Sequence, residues 1–252
     1  MTLTPRFTLS LIATSLFSLS ATFDAKADVE EPNKFYAGLS VSAVSYDSKG
    51  FEDGEDIDSG IVDFKSEIDT DDTGFKAFAG YHLFENLALE VAYMDAGGMS
   101  FTSSESVYQG REGYSIGSKI GVNLSGISVA AVGRWALTNE LHAFARAGFL
   151  NWDIETKYSA EVDINIPSLG INNLSEQKSG SFNLDGTDII YSAGLSYGFK
   201  AFTLYAEYEV IDLTIKASEF YDLSDEEYFE SGDVEDGSLD ATSLHLGIVY
   251  NF

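Results

Sequence analysis

The chain has 252 residues, a formal net charge of −27 and no cysteine. The absence of cysteine excludes disulfide bonds, thiolate nucleophiles and thiolate metal ligands. A charge this negative argues against nucleic-acid binding, which needs a basic surface. The chain also has 18 phenylalanines and 14 tyrosines but only 3 prolines, a composition that favours a strand-rich fold.

The first residues have the three parts of a secretory signal peptide. Arg6 supplies the positive charge, Phe7–Ala21 is an apolar and hydroxyl-rich run, and residues 25–27 fit the small-x-small cleavage pattern. The apolar run is shorter than the ~20 residues that a membrane-spanning helix needs. The sequence therefore predicts a cleaved signal peptide over residues 1–27 and one mature domain over residues 28–252.

Large apolar residues alternate with small or polar ones in eight stretches of the mature chain. A period of two predicts β-strands with two different faces. No long unbroken apolar run occurs, so a membrane-spanning form of this chain needs a closed barrel, which leaves no strand edge facing lipid. The predicted strands are residues 35–46, 74–83, 87–94, a strand that begins between 118 and 125 and ends at 137, 141–154, 187–199, 202–212 and 241–252.

The predicted connections alternate between short turns and long loops. Three turns are two or three residues long, whereas four loops cover about residues 47–73, 95–118, 153–186 and 213–240. Short turns on one side and long loops on the other are the asymmetry expected of outer-membrane barrels. Ten strands remain an alternative if parts of the long loops pair as additional hairpins.

The last predicted strand has a continuous apolar face and ends on an aromatic residue. Its apolar positions are Leu244, Leu246, Ile248, Tyr250 and Phe252. A strand of this kind resembles the C-terminal assembly signal of bacterial outer-membrane β-barrels. The resemblance implies that the barrel-assembly machinery recognises this strand and that the strand closes the barrel against the first one.

Three further segments resemble the eight-stranded barrel domain of the OmpA type. They are G-F-K-A-F-A-G-Y at residues 74–81, L-A-L-E-V-A-Y at 87–93 and G-R-W-A-L-T-N-E-L at 133–141. The resemblance implies an all-β, transmembrane, antiparallel up-and-down β-barrel of eight strands with long acidic extracellular loops in the cell outer membrane. We expect no peptidoglycan-binding domain of the kind that full-length OmpA carries. We further expect a monomer in contact with outer-membrane lipid and lipopolysaccharide.

Six charged residues fall on predicted inward positions: Lys76, Glu90, Arg134, Arg146, Glu207 and Glu209. An eight-stranded barrel is about wide enough inside for side chains alone, and buried charges need partners. We interpret the six as a structural charge network that fills the lumen. The family resemblance implies interior salt bridges at Lys76, Glu90, Arg146 and Glu207. The alternative is a gated ion path through the network.

Two other patterns have a chemical interpretation that we do not adopt. His82, His142 and His245 all lie on predicted inward faces, and three histidines can bind zinc. The pattern does not show that they converge, so we expect no metal and no cofactor. Residues 194–198 match G-x-S-x-G, but a nucleophile elbow needs a turn between a strand and a helix, whereas this motif lies inside an alternating strand.

Two of the long loops concentrate the negative charge. Asp47–Asp72 has 11 acids and 2 bases, and Asp212–Asp240 has 11 acids and 1 base. Such loops are hydrated, can bind divalent cations, or can bind a basic ligand.

The sequence predicts a non-enzymatic outer-membrane barrel with a structural and surface-interaction role in the cell envelope. The alternatives are a narrow porin-like channel and a lipid-modifying barrel enzyme.

Overall fold

The computed structural model describes residues 34–47, 57–58, 61–110, 112–215 and 237–252, whose strands form one antiparallel sheet. Ten strands occur in these ranges: β1 (Phe35–Tyr46), β2 (Ile57–Asp58), β3 (Val62–Asp69), β4 (Asp71–Phe84), β5 (Leu87–Gln109), β6 (Glu112–Ala136), β7 (Leu141–Ile166), β8 (Ile171–Phe199), β9 (Phe202–Ile215) and β10 (Gly237–Asn251). A 3₁₀ turn, Pro167–Leu169, joins β7 to β8. None of the described residues belongs to a helix long and apolar enough to cross a membrane. The predicted signal peptide lies outside the described residues.

Eight of these strands close into a ring. β1 pairs with β10 on one side and with β4 on the other, and β5 pairs with both β4 and β6. The ring order is therefore β1-β4-β5-β6-β7-β8-β9-β10. Closure gives every strand of the ring a neighbour on both sides, which is the condition for a sheet in lipid. The prediction of an eight-stranded antiparallel barrel is confirmed.

The alternation of residue types separates the two faces of the barrel wall. Leu39, Leu89 and Phe149 point outward and are exposed, whereas Ser40 and Lys76 point inward and are buried. The outward positions of every barrel strand form an apolar band. A band of this kind is what contact with lipid requires.

The apolar outer band ends at a ring of outward aspartates on the side of the long connections. Asp212 lies directly opposite Asp240 on the neighbouring strand, and Asp153 lies directly opposite Asp185. Like charges at such positions repel each other, so this level of the wall favours hydration. Seven of the eight barrel strands contribute to this aspartate ring, with Asp47, Asp71, Asp95, Asp153, Asp185, Asp212 and Asp240.

Four strands run far beyond their predicted ends. β5 and β6 form one hairpin that turns at Gly110, and β7 and β8 form another that turns at Gly170. Both glycines have positive φ, a conformation that favours glycine. The predicted loops over residues 95–118 and 153–186 are therefore wrong. Their polar residues lie on one face of paired strands, and an antiparallel sheet tolerates one hydrated face.

A β-bulge redirects β5 where it leaves the barrel. The register with β6 shifts between Asp95 and Gly98, and Gly97 has a φ of +64°. The Gly97 N–H donates to Asp95 Oδ1 at 2.9 Å, and the Gly98 N–H donates to Asp72 Oδ2 at 2.8 Å. Because of the extra residue, odd-numbered side chains of β5 point outward before the bulge and inward after it. β3 pairs with this outer part of β5, so part of the predicted acidic loop 47–72 is a strand outside the ring.

Candidate functional site: the filled lumen and the protruding sheet

The lumen contains an apolar plug on the side of the long hairpins. Trp152 is its largest residue and is 1% exposed. The Trp152 Nε1–H donates to Asp188 Oδ2 at 2.8 Å, which satisfies the indole nitrogen. Several further side chains are at most 1% exposed, so the plug is closely packed: Met94, Leu124, Leu150, Ile154, Ile211 and Leu213.

A charged layer lies next to the plug and joins five of the six predicted lumen charges. Lys76 Nζ lies 3.4 Å from Glu207 Oε1 and also forms an ion pair with Glu209. Arg146 Nε lies 3.0 Å from Glu90 Oε1, and Arg146 also forms an ion pair with Glu207. Glu207 is therefore the carboxylate shared by both cations. All three glutamates are buried, so the layer is a connected network with little access for water.

Aromatic rings surround the Arg146 guanidinium on the side of the short turns. Its Cζ lies 4.7 Å from the ring centre of Phe144, 5.3 Å from Phe78 and 5.5 Å from Tyr205. The negative faces of aromatic rings attract a cation, most strongly where water is excluded. Tyr36 belongs to the same layer, and its hydroxyl donates to Glu90 Oε2 at 3.1 Å. The rings therefore fill the lumen and help Arg146 to tolerate burial.

Arg134 is the one predicted lumen charge that the network does not include. Its side chain faces the lumen and lines a cavity of about 40 Å³ together with Tyr36, Arg146 and Ser196. Within the described residues, no carboxylate forms an ion pair with it. Arg134 lies two residues from the end of β6, at the level of the short turns. Arg134 is only partly buried, so an ionic partner is less necessary for it.

The network contains a serine and a histidine that the sequence analysis did not assign to it. His245 Nε2 lies 3.1 Å from Glu209 Oε1, and its Nδ1 lies 3.3 Å from Ser40 Oγ. Inward alternation placed both residues in the lumen, but 205 positions separate them in the chain. Only the pairing of β1 with β10 brings them together.

The three histidines do not converge. His245 lies in the charged layer. The ring centre of His82 lies 4.9 Å from that of Tyr36, and His142 lies opposite Ala136 in the strand pairing of β6 with β7. Across the part of the chain that the structure describes, no three His, Cys, Asp or Glu side chains are arranged to hold a metal ion. The G-x-S-x-G motif, Gly194–Gly198, lies inside β8, with no strand-to-helix turn.

Ser40, His245 and Glu209 have the residue types of a hydrolase triad, which suggests a direct test. Ser40 is 6% exposed, and Lys76 already holds Glu209. We therefore expect that a fluorophosphonate probe leaves Ser40 of the folded barrel unmodified in intact-mass spectrometry, with an active serine hydrolase as the positive control. Modification of Ser40 that disappears in a His245→Gln variant would instead support the lipid-modifying alternative.

The outer parts of β5, β6, β7 and β8, together with β3, form a five-stranded sheet that we call the protruding sheet. It continues one side of the barrel wall beyond the aspartate ring. In the described residues, β1, β4, β9 and β10 end close to that ring, so the sheet stands on one side of the barrel mouth. Its inner face is continuous with the lumen, because Met99, Val122 and Phe182 pack against the apolar plug.

Comparisons with known proteins identify the family of this chain and similar solved structures. The chain matches the family model of the OmpA-like transmembrane domain over residues 30–216. No curated protein is similar enough to match it. Among solved structures, it is similar to Ail, the attachment invasion locus protein of Yersinia pestis (13% identity, 88% of this chain and 100% of that chain covered, TM-score 0.39). It is also similar to Neisserial surface protein A (13% identity, 88% of this chain and 100% of that chain covered, TM-score 0.39). A third similar structure is OprG from Pseudomonas aeruginosa (11% identity, 88% of this chain and 97% of that chain covered, TM-score 0.40).

A closed antiparallel ring with an apolar outer band and a filled interior defines a small transmembrane β-barrel. The family model covers most of the chain. This chain belongs to the OmpA-like transmembrane domain family, whose members are barrels of the bacterial outer membrane.

Proposed function

We propose that this protein is a non-conducting barrel with a structural and surface-interaction role in the outer membrane. The observation that supports this function is the filling of the lumen by three successive layers. The plug, the ion pairs and the aromatic rings occupy successive levels of the lumen with buried side chains. The protruding sheet supports the surface role, because its five paired strands place a broad polypeptide surface beyond the aspartate ring.

Planar-bilayer recording of the refolded mature chain tests this proposal. We expect no single-channel steps at either polarity, because an apolar plug and paired charges both oppose the entry of ions. Single-channel steps whose size changes in a Glu207→Gln variant, but not in a Glu155→Gln variant, would contradict the proposal. They would favour the narrow-channel alternative.

The expected contacts with lipopolysaccharide and with the barrel-assembly machinery stay predictions, as do a monomeric state and the binding of divalent cations. The apolar face of Leu244, Leu246, Ile248, Tyr250 and Phe252 does point outward beside β1. The Phe252 N–H donates to the Phe35 carbonyl at 3.1 Å, so the last residue contributes to ring closure. The recognition of this strand by a cellular machinery is a proposal that follows from the family resemblance.

A further inference from the structure

The inner face of the protruding sheet carries apolar side chains in register across its strands. Ile68, Phe101, Ile120 and Tyr158 form one continuous row over β3, β5, β6 and β7. A second row lies nearer the hairpin tips and spans all five strands, with Val62, Val107, Tyr114, Ile164 and Leu174. The bulge in β5 makes this alignment, because it turns Phe101 and Val107 to the inner face.

The opposite face of the same sheet is polar. One of its rows consists of Glu67, Thr102, Lys119, Ser159 and Ser179. Another consists of Asp69, Ser100, Gly121, Lys157 and Ser181. The barrel wall has the reverse arrangement, with apolar residues outside. The protruding sheet is therefore amphipathic, and its apolar face looks over the mouth of the barrel.

Much of this inner face is accessible to solvent. Ile116 is 42% exposed, Ile120 is 41%, Tyr158 is 40% and Leu174 is 52%. The seven residues from Tyr114 to Ile120 span about 20 Å along a strand, and five strands span about 19 Å across. The whole face therefore covers about 400 Å², and the apolar rows occupy part of it. Exposed apolar patches of a few hundred Å² often mark interaction sites.

The charge of the sheet indicates which kind of partner fits. Residues 62–69, 98–125 and 151–188 contain 12 acids and 5 bases over the two faces together, so the sheet as a whole is negatively charged. Glu105 and Glu176 lie on the inner face itself, in one row with Ile116 and Val162 between them. Lys178 is on the same face, in the adjacent row. The Tyr114 hydroxyl donates to Glu105 Oε1 at 2.8 Å, and this hydrogen bond raises the pKa of the tyrosine while it holds the carboxylate in place.

We propose that the inner face of the protruding sheet binds a cationic amphipathic helix of another polypeptide. The apolar side of the helix covers the rows of Ile120 and Tyr158, and its lysines or arginines pair with Glu105 and Glu176. A helix of 14 residues is about 21 Å long, which matches the length of the face. This inference rests on the proposed surface role and adds the chemical class of the partner.

A fluorescently labelled 14-residue peptide of leucine and lysine, with one apolar side, is the probe. The refolded barrel is placed in zwitterionic nanodiscs, and peptide anisotropy is compared with that in empty discs. We expect at least about tenfold tighter binding to the loaded discs. A scrambled peptide of the same composition and a peptide with glutamate in place of lysine should both lose this difference. A control peptide that binds the loaded discs as tightly as the leucine and lysine peptide would overturn the proposal.

Two tyrosines provide a matched pair of variants on opposite faces of the sheet. Tyr158 lies on the inner face over Gly180, whereas Tyr108 lies on the outer face beside Gly113 and is 51% exposed. We expect Tyr158→Ser to weaken peptide binding by about tenfold and Tyr108→Ser by less than about twofold. Unchanged heat-modifiable mobility on gels identifies variants that fold. Equal losses in the two folded variants would exclude the inner face as the binding site.

Because the chain has no cysteine, a single Ile116→Cys variant reports directly on access to the face. Maleimide should label it rapidly without peptide and slowly with peptide. Slow labelling without peptide, independent of protein concentration, would mean that another part of this chain occupies the face. Slow labelling that becomes faster when the protein is diluted would mean that a second copy of the protein occupies the face. Either result overturns the proposal, whereas the bilayer recordings test the non-conducting function independently.

Discussion

Replacing Glu207 with alanine is expected to lower the free energy of unfolding by about 3–5 kcal/mol. The change breaks two buried ion pairs at once, because Glu207 bridges Lys76 and Arg146, and breaking a buried pair costs about this much. Each cation keeps one carboxylate, Glu209 for Lys76 and Glu90 for Arg146. It also removes the acceptor of the Ser192 hydroxyl, which lies 2.5 Å from Glu207 Oε1. Reversible urea unfolding in lipid vesicles measures the difference.

Glu155 is the matched control for this experiment. Its carboxylate lies 2.9 Å from Lys157 Nζ on the outer face of the protruding sheet, and both side chains are exposed. Exposed pairs contribute about 0–1 kcal/mol, so Glu155→Ala should have a small effect. Similar losses in the two variants would show that the lumen is wet and that the network does not stabilise the barrel through buried ion pairs.

Trp152→Ala is expected to have an effect of similar size for a different reason. The change creates a cavity at the centre of the apolar plug, and Trp→Ala substitutions in packed cores cost about 3–5 kcal/mol. It also removes the hydrogen bond to Asp188. Urea unfolding followed by circular dichroism measures the loss without the use of tryptophan fluorescence.

The second tryptophan provides the comparison, because Trp135 points outward and is 57% exposed. Trp135→Ala leaves the lumen intact and should cost less than half as much as Trp152→Ala. The same pair of variants is informative in bilayer recordings, since only the loss of Trp152 opens space inside the lumen. A Trp152→Ala barrel as stable as the parent would mean that the plug is not closely packed.

The alternation of apolar and polar residues was sufficient to predict the barrel wall. The first strand was predicted over residues 35–46, and β1 has these bounds. The third was predicted to end at 94, whereas β5 continues to Gln109. The outward residues become serine and threonine beyond Asp95, and the bulge at Gly97 interrupts the period of two. This polar composition predicts a loop, although the period of two resumes after the bulge.

The lumen shows a similar division between what the sequence reveals and what it does not. Inward positions for Lys76, Arg146 and Glu207 follow from the alternation along single strands. The partners of each charge depend on the register between strands, and Lys76 and Glu207 are 131 positions apart. A one-residue slip of register would move every side chain to the other face, so pairing cannot be derived from one strand alone.

The reversal of the two faces at the aspartate ring determines how deep the molecule sits. A shift of the barrel by two residues toward the cell, about 7 Å, would bring outward aspartates from several strands into hydrocarbon together. Charges on the lipid face cost up to about 2–4 kcal/mol each near the middle of a bilayer and less near its surface, and these costs would add around the ring. Tilting is opposed in the same way, because aspartates lie on nearly all sides. The aspartate ring therefore opposes both a deeper and a tilted position of the barrel, which limits how close the protruding sheet comes to the lipid headgroups.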